Sequence, residues 1–123
     1  MAKLTFRGGV HPYDGKDLSK DKPMKTIVPK GEMVYPLSQH IGAPAVPLVK
    51  KGDRVLAGQK IAEAGGFVSA PIYATVSGTV KAIEPRRVVT GDMVNAVIID
   101  NDGLFEEVEY TPHDPEKLSK KEI

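Results

Sequence analysis

Residues 46–83 constrain the fold more than any other segment, because glycine and proline divide them into apolar runs of a few residues. The segment reads VPLVKKGDRVLAGQKIAEAGGFVSAPIYATVSGTVKAI. No run is long enough for a helix that is stable in water, and the alternation of apolar and polar residues favours short strands. Because glycine adopts positive φ without steric cost, we expect Ala64, Gly65 and Gly66 to form a tight hairpin turn. The segment therefore predicts a small all-β module.

A repeated turn pattern predicts that this module has two similar halves. Residues 49–57 and residues 88–96 share the pattern V-x-x-G-D-x-V-x-A. A Gly-Asp turn sets the direction of the strand that follows, and the flanking valines enter the core from each side. Two such units packed face to face give a flattened antiparallel sandwich with pseudo-two-fold symmetry.

Further short strands and one polar loop are expected outside this segment. Residues 14–25 are polar and rich in lysine, which is typical of a surface loop or extended arm. Apolar runs that contain or adjoin proline suit edge strands, because proline cannot donate to a β-ladder. The remaining expected strands lie at residues 3–7, 27–29, 33–37, 94–100 and 105–110.

The chain is expected to have three parts. These are an N-terminal arm and loop, a barrel-like sandwich, and a linker that starts the helix of a following domain, at residues 1–30, 31–110 and 111–123. The helix is predicted by Asp114 as its N-cap, with Pro115 at the first helical position and Glu116 in the first turn. The alternative is that this segment is the polar tail of a complete protein.

Composition excludes several classes of function. Seventeen Lys+Arg against sixteen Asp+Glu give a net charge of +1, and there is neither a nucleic-acid footprint nor a basic helix that could lie on a membrane. The chain has no cysteine, which excludes disulfides, thiolate metal sites and iron–sulfur ligation within it. No apolar run approaches the roughly 20 residues of a membrane span, and the N-terminus lacks the apolar core of a signal peptide. We expect a cytoplasmic chain that is still able to belong to a membrane complex.

A glycine- and proline-bounded loop is the candidate interaction surface. Rigid backbone and several hydrogen-bond donors suit it to binding. The candidate residues are Gln39, His40, Gly42 and Pro44, with His11. The alternative interpretation is that Gln39 and His40 tie the loop to the sandwich.

No catalytic, cofactor-binding or metal-binding residue is expected in the chain. The three histidines, His11, His40 and His113, form no short-range metal pair. A phosphoryl-accepting His40 would lack the second histidine and the oxyanion donors that help such a group. The Gly-Asp carboxylates at Asp53 and Asp92 are most simply turn residues.

The pattern G-D-x-V-x-x-G-Q-x-I at residues 52–61, followed by S-A-P and V-S-G-T-V, resembles the barrel-sandwich hybrid fold of lipoyl and biotinyl carrier domains. In those domains the modified lysine lies at the tip of a hairpin. Here the expected tip is Ala64-Gly65-Gly66, and no lysine lies between Lys60 and Lys81. A stand-alone adaptor or carrier module therefore remains only as the alternative function.

A wider set of motifs resembles the N-terminal region of the RnfC subunit of the Rnf electron transport complex. The motifs occur in order at residues 8–12, 36–44, 52–53, 58–61, 67–71 and 77–80. The resemblance implies a structural or docking domain of a membrane-associated, ion-translocating ferredoxin:NAD⁺ oxidoreductase, peripheral to the cytoplasmic side of the inner membrane. It implies contacts with other Rnf subunits and with the remainder of RnfC. It also implies that FMN, the NADH site and two [4Fe–4S] clusters belong to parts of the family's subunit that are absent from this chain.

Overall fold

The fold is all-β, as the sequence predicts. The computed structural model describes Gly8, residues 12–114 and residues 117–119. Within them, a single 3-10 turn at Lys16–Leu18 precedes the strands. The strands are β1 Glu32–Pro36, β2 Val46–Pro47, β3 Arg54–Val55, β4 Lys60–Glu63, β5 Ile72–Tyr73, β6 Gly78–Arg87 and β7 Met93–Asn101. They pair antiparallel in two sheets, of order β1-β7-β6-β3 and β2-β4-β5.

The long β6–β7 hairpin is the backbone of the larger sheet. Its register runs from Gly78 opposite Asn101 to Arg87 opposite Met93, with an irregularity between Val80 and Ala82. Such an irregularity bends a strand and increases its twist, which fits the curled sheets of a barrel-sandwich hybrid. β1 covers the other edge of β7, as expected for the strand at residues 33–37.

The core lies between the two sheets and draws on both. Its fully buried members are Val55, Ile61, Ala62, Val76, Val97 and Ile99. At its edge, Tyr35 on β1 meets Thr75 after β5: the two hydroxyl groups lie 2.9 Å apart, and the Thr75 N–H donates to the Tyr35 hydroxyl at 3.1 Å. This contact joins the larger sheet to the segment that follows the smaller one.

Two expected strands are wrong. Residues 27–29 form no strand, and the Pro29 carbonyl instead accepts a hydrogen bond from Asn101 Nδ2 at 2.9 Å. Residues 105–110 alternate like a strand but make only one parallel bridge, between Glu107 and Ala57. Phe105 has φ of 54°, which is incompatible with an extended strand at that residue.

Two further predictions fall partly or wholly outside the described residues. The strand at residues 3–7 lies outside them. Of the C-terminal helix, Pro115 and Glu116 lie outside them, and the described part shows a turn in which Lys117 N donates to Asp114 O at 3.0 Å.

The prediction of a tight hairpin turn at Ala64–Gly66 is wrong in two respects: the connection is longer, and glycine is not required there for a positive φ. The connection between β4 and β5 spans residues 64–71, and neither Gly65 nor Gly66 has positive φ. A Cβ on Gly65 would lie 2.0 Å from the Pro44 carbonyl oxygen, and one on Gly66 would lie 3.1 Å from Ala43 Cβ. Glycine is needed here because another loop packs against the backbone.

The repeated Gly-Asp pattern does form two turns, and the glycine has positive φ in both. Gly52 has φ of 95° and Gly91 has φ of 93°, a region that favours glycine. The first turn leads from β2 in the smaller sheet to β3 in the larger one, whereas the second closes the β6–β7 hairpin. The pattern therefore marks a glycine of positive φ at two places, but the turns close differently. Asp53 N donates to Lys50 O at 3.1 Å in the first, whereas Gly91 N donates to Val88 O at 2.9 Å in the second. The pseudo-two-fold relation of the halves stays a prediction.

Candidate docking surface at the loop end

Three loops lie side by side at one end of the sandwich, which we call the loop end: residues 38–44, 64–71 and 88–92. The first two are joined by a backbone hydrogen bond from Ala43 N to Val68 O at 3.0 Å. The first and third line one cleft of about 410 Å³, to which both Ile41 and Val89 contribute. The loop end therefore combines segments from both sheets.

Gln39 and His40 hold the first loop in position. Gln39 Nε2 donates to the Pro36 carbonyl at 2.9 Å. His40 Nε2 accepts the Ala70 N–H at 3.0 Å, so the ring hydrogen is assigned to Nδ1, which donates to the Ile41 carbonyl at 3.1 Å. The imidazole thus connects the first loop to the second, through a contact between residues 30 positions apart.

Glycine allows these two loops to approach closely. Gly42 has φ of 115°, and a Cβ there would lie 2.1 Å from the Val68 carbonyl oxygen. Pro44 takes part in the same packing, because its carbonyl oxygen faces Gly65. The structure thus brings four of the candidate residues together, Gln39, His40, Gly42 and Pro44. The fifth, His11, lies outside the described residues.

Large apolar side chains at the loop end are exposed. Ile41 is 93% exposed, Phe67 is 105% exposed and Val89 is 103% exposed, so each loop contributes one. Sequence reasoning missed these residues because it looked for polar groups. The available signal was an apolar residue beside glycine at a turn: Phe67 follows Gly66, and Val89 precedes Thr90-Gly91.

The loop end also carries little charge. Residues 38–44 and 64–71 contain no Asp, Glu, Lys or Arg, and residues 88–92 contain only Asp92. The Asp92 carboxylate accepts a hydrogen bond from the Thr90 hydroxyl at 2.8 Å. In a chain with 27% charged residues, this is a distinctly apolar and uncharged surface.

The opposite end of the sandwich is polar and is centred on a buried hydroxyl; we call it the Ser77 end. Ser77 is 0% exposed. Its Oγ donates to Asp102 Oδ1 at 2.7 Å and accepts the Glu106 N–H at 3.0 Å. Arg54 joins this group through contacts of 2.6 Å to Asp102 and 2.7 Å to Glu106.

Electrostatics keep the groups at the Ser77 end ionised. The Leu104 N–H, the Ser77 hydroxyl and the Arg54 guanidinium lower the pKa of Asp102. Hydrogen bonds to Glu106 and Asp102 raise the pKa of Arg54. Elsewhere, the Lys81–Glu32 pair has the same effect, lowering the pKa of Glu32 and raising that of Lys81. Opposite charges in contact favour both charged forms.

The two ends are separated by the length of the β6–β7 hairpin. Gly78, beside Ser77, is the first residue of β6, and Arg87, beside the 88–92 turn, is the last. Strands rise by about 3.3 Å per residue, so a strand of this length spans about 30 Å.

Neither end fits the cofactors that the resemblance implies for the whole subunit. The chain has no cysteine to supply thiolates to an iron–sulfur cluster. Among the described residues, no group of three or more His, Asp or Glu side chains is placed to hold a metal ion. Gly65-Gly66 leads into a loop rather than a helix, so the backbone lacks the phosphate cradle of a nucleotide site.

Residues 12–114, the main part of the chain that the structure describes, contain no candidate for a membrane-spanning helix. None of the helical segments in the part of the chain that the structure describes is both long enough and apolar enough to cross a bilayer.

The chain is similar to subunits of ion-translocating complexes. The family model described as the RnfC barrel sandwich hybrid domain matches residues 4–104. The C subunit of the Na⁺-translocating ferredoxin:NAD⁺ oxidoreductase complex of Acetobacterium woodii is 46% identical over 81% of this chain and 23% of its own length. The C subunit of the proton-translocating ferredoxin:NAD⁺ oxidoreductase complex of Clostridium ljungdahlii is 42% identical over 97% of this chain and 26% of its own length.

A shorter match extends the same relationship. The C subunit of the ion-translocating oxidoreductase complex of Vibrio cholerae serotype O1 is 45% identical over 68% of this chain and 11% of its own length. The chain thus spans about a quarter or less of the curated relatives it matches. With the family model covering most of its residues, the chain belongs to the RnfC barrel sandwich hybrid domain family.

Proposed function

We propose that this chain is the N-terminal structural and docking domain of the RnfC subunit in a membrane-associated, ion-translocating ferredoxin:NAD⁺ oxidoreductase. The observation that carries the proposal is the family match over residues 4–104. The names of the relatives, which describe the C subunits of such complexes, support it. In this proposal residues 31–110 form the docking domain, residues 1–30 an arm, and residues 111–123 a linker.

The domain's task in this proposal is mechanical. Its residues hold a rigid surface in place and contact other subunits and the remainder of RnfC. In this proposal the flavin, the NADH site and the iron–sulfur clusters belong to that remainder. This chain has no cysteine to hold a cluster, and the residues that the structure describes form no metal-binding group. The whole subunit would then be peripheral to the cytoplasmic side of the membrane and held there by the complex. No electron-transfer step is assigned to these residues.

The carrier alternative is not favoured. A swinging arm needs a lysine at the exposed hairpin tip, and the β4–β5 connection at residues 64–71 contains none. Lys60, the nearest lysine before it, lies at the start of β4 with its ammonium 5.9 Å from the centre of the Tyr73 ring. Intact mass measurement of the chain purified from its source is expected to show no lipoyl or biotinyl addition.

Deletion of the domain from the full-length RnfC subunit tests the docking function. We expect the truncated subunit to be lost from the purified complex, and ferredoxin-dependent NAD⁺ reduction by membranes to be lost with it. NADH oxidation by the isolated truncated subunit with an artificial acceptor should persist. A truncated subunit that stays in the complex at normal stoichiometry, with normal membrane activity, would contradict the proposal.

A further inference from the structure

We propose that the loop end is the surface by which the domain contacts a neighbouring subunit, and that its occupant is an uncharged, apolar protein surface on that subunit. This inference rests on the proposed function and deepens it, because it names the face and the chemistry of the partner. The side chains that make the contact are Ile41, Phe67 and Val89, the three that are most exposed there.

Ile41 and Val89 at the loop end lie together rather than as isolated surface residues, and Phe67 lies on the loop that packs against the loop of Ile41. Single exposed apolar residues are normal, whereas grouped ones mark interaction sites. Ile41 and Val89 line the same cleft. Phe67 is adjacent in sequence to Val68, whose carbonyl accepts the hydrogen bond from Ala43 two residues after Ile41. Aromatic and aliphatic anchors of this kind supply most of the binding energy of interfaces.

The loops that carry these side chains are held in position before any partner binds. His40 and the Ala43–Val68 hydrogen bond join the first two loops. In the third loop, Val88 N donates to Asp92 O and Gly91 N to Val88 O, both at 2.9 Å. Binding to a surface that is already ordered loses little conformational entropy, so a small apolar group can contribute substantial affinity.

Charge decides between a protein and a bilayer as the occupant. A membrane-binding tip carries Lys or Arg beside its apolar residues. Here the loops themselves carry only Asp92, and they are flanked by Glu63, Glu84, Arg86 and Arg87. Arg86 is already engaged by Glu84 at 2.8 Å. These flanking residues and Asp92 together give three acidic side chains and two basic ones, so the loop end has no excess of positive charge to attract anionic lipid. The complementary partner is an apolar protein surface that carries no charge.

The place where the chain leaves the sandwich favours a different subunit, rather than the rest of RnfC, as the occupant of the loop end. The segment after β7, residues 102–108, packs along the Ser77 end through Glu106 and Val108, whose N–H groups donate to Ser77 Oγ and Ala57 O. That end is separated from the loop end by the length of β6, up to about 30 Å for a straight strand. The relatives are about four times as long as this chain, and on the proposed function their remainder follows this segment. On the proposed function the chain enters that remainder from the Ser77 end, and we assign the loop end to a different subunit.

The test replaces the exposed apolar side chains in the full-length RnfC subunit within the complex. The variant combines Ile41→Ser, Phe67→Ser and Val89→Ser. Its matched control combines Leu18→Ser, Met24→Ser and Ile27→Ser, which are 76%, 102% and 87% exposed in the arm. We expect the first variant to lower the amount of RnfC that co-purifies with the complex at least tenfold, and the control to leave it unchanged.

A photo-crosslinking residue identifies the occupant. With Phe67→p-benzoylphenylalanine in the intact complex, we expect cross-linking to an apolar, uncharged segment of a subunit other than RnfC, read out by mass spectrometry. Cross-linking only within RnfC, or to a charged segment, would overturn the inference. Unchanged co-purification of the triple variant would also overturn it. If deletion of the whole domain nevertheless releases RnfC from the complex, the proposed docking function holds and only the assignment of the loop end fails.

Two further measurements detect the other occupants. The chain of 123 residues is mixed with vesicles of phosphatidylglycerol and phosphatidylethanolamine, and its self-association is followed by sedimentation velocity. Vesicle binding that the triple variant abolishes would assign the surface to the bilayer. A dimer that the triple variant dissociates would assign it to a second copy. Either result overturns the inference, whereas a monomer that does not bind the vesicles supports it.

Discussion

The Ser77 end and the loop end lie at opposite ends of the same β6–β7 hairpin but are stabilised by different interactions. At the Ser77 end, a buried hydroxyl and the charged side chains of Arg54, Asp102 and Glu106 form one connected group. At the loop end, backbone hydrogen bonds, glycine contacts and the uncharged side chains of Gln39 and His40 hold the loops. The large side chains there face solvent instead of the core.

The difference teaches how this small domain separates stability from recognition. At the Ser77 end the side chains themselves stabilise the fold, so replacing them should change the free energy of unfolding. At the loop end, backbone contacts and the polar side chains of Gln39 and His40 hold the loops, which leaves the exposed apolar side chains free to bind. Binding residues commonly lie on loops that a rigid scaffold positions. The following substitutions test this separation.

The largest effect is expected from Gly42→Ala at the loop end. The new Cβ would lie 2.1 Å from the Val68 carbonyl oxygen at a φ of 115°, so the backbone of one loop must move. We expect the free energy of unfolding to fall by about 3 kcal/mol or more in urea titrations. Gly91→Ala is the matched control, because its φ of 93° is similar but no atom lies within 4 Å of the new Cβ.

The control should lose only about 1–2 kcal/mol, the cost of positive φ for a residue with a Cβ. Equal losses for Gly42→Ala and Gly91→Ala would show that the contact between the first two loops does not stabilise the loop end.

Ser77→Ala should have the next largest effect. The substitution leaves the Glu106 N–H without its acceptor and removes one of the donors to Asp102. An unsatisfied buried polar group costs about 1–3 kcal/mol, and we expect about 2 kcal/mol by urea unfolding. Thr79→Ala, at an exposed position of β6, is the control and should change stability by less than about 0.5 kcal/mol. If Ser77→Ala were as stable as the wild type, the polar network would not be what stabilises the Ser77 end.

His40→Ala should cost less and act locally. The Ala70 N–H loses its acceptor, but the site is partly exposed and water can replace the imidazole. We expect the free energy of unfolding to fall by about 1 kcal/mol. Hydrogen exchange at the Ala70 amide should become faster than in the wild type, by a larger factor than at core amides of β7. His113→Ala, an exposed position, serves as the control and should alter neither quantity. Unchanged exchange at Ala70 would mean that His40 does not join the two loops.

The sequence could predict the turns and the strands that its local patterns specify, but not these long-range contacts. The turns at Gly52 and Gly91 could be predicted because neighbouring residues in the sequence specify a Gly-Asp turn. The contacts of Ser77 could not be predicted, because its partners Asp102 and Glu106 are 25 and 29 residues away and a serine in a strand has no distinctive pattern. The strand expected at residues 105–110 failed for the same reason: its alternation is real, but the chain turns at Phe105 to reach the Ser77 network.

The sequence predicted one part of the candidate site, the first loop, but not the packing of the second loop against it. The Gln39–His40 loop stood out because glycine and proline bound it, and its residues do cluster in the structure. The second loop was expected to be a tight turn, so its packing against Gly42 and Pro44 was missed. Exposed apolar residues such as Phe67 look like core residues in a sequence, and only burial separates the two.

Acid should weaken the Ser77 end. The pKa of Asp102 is lowered in the folded state by the Leu104 N–H, the Ser77 hydroxyl and Arg54. A carboxylate of this kind stabilises the fold fully above its unfolded-state pKa of about 4, and the stabilisation is lost as pH falls through the folded-state value. We expect the free energy of unfolding to decline below about pH 5, with a shallower decline in Asp102→Asn. Superimposable pH profiles for the two proteins would rule out Asp102 as a contributor. The effect should be modest, because the side chains of this group are partly exposed.

The smallest effect on stability is expected where the effect on binding is largest. Phe67→Ser removes a side chain that is fully exposed, so little apolar surface returns to water on unfolding. The free energy of unfolding should change by less than about 0.5 kcal/mol, measured beside Ile61→Ala, a fully buried core position that should lose about 2–5 kcal/mol. A loss for Phe67→Ser approaching that of Ile61→Ala would mean that the ring packs against the domain. The loop end would then be a structural element, and the separation between its backbone and its binding side chains would not hold. A stable variant that no longer enters the complex would place stability and recognition on different atoms of the same loops.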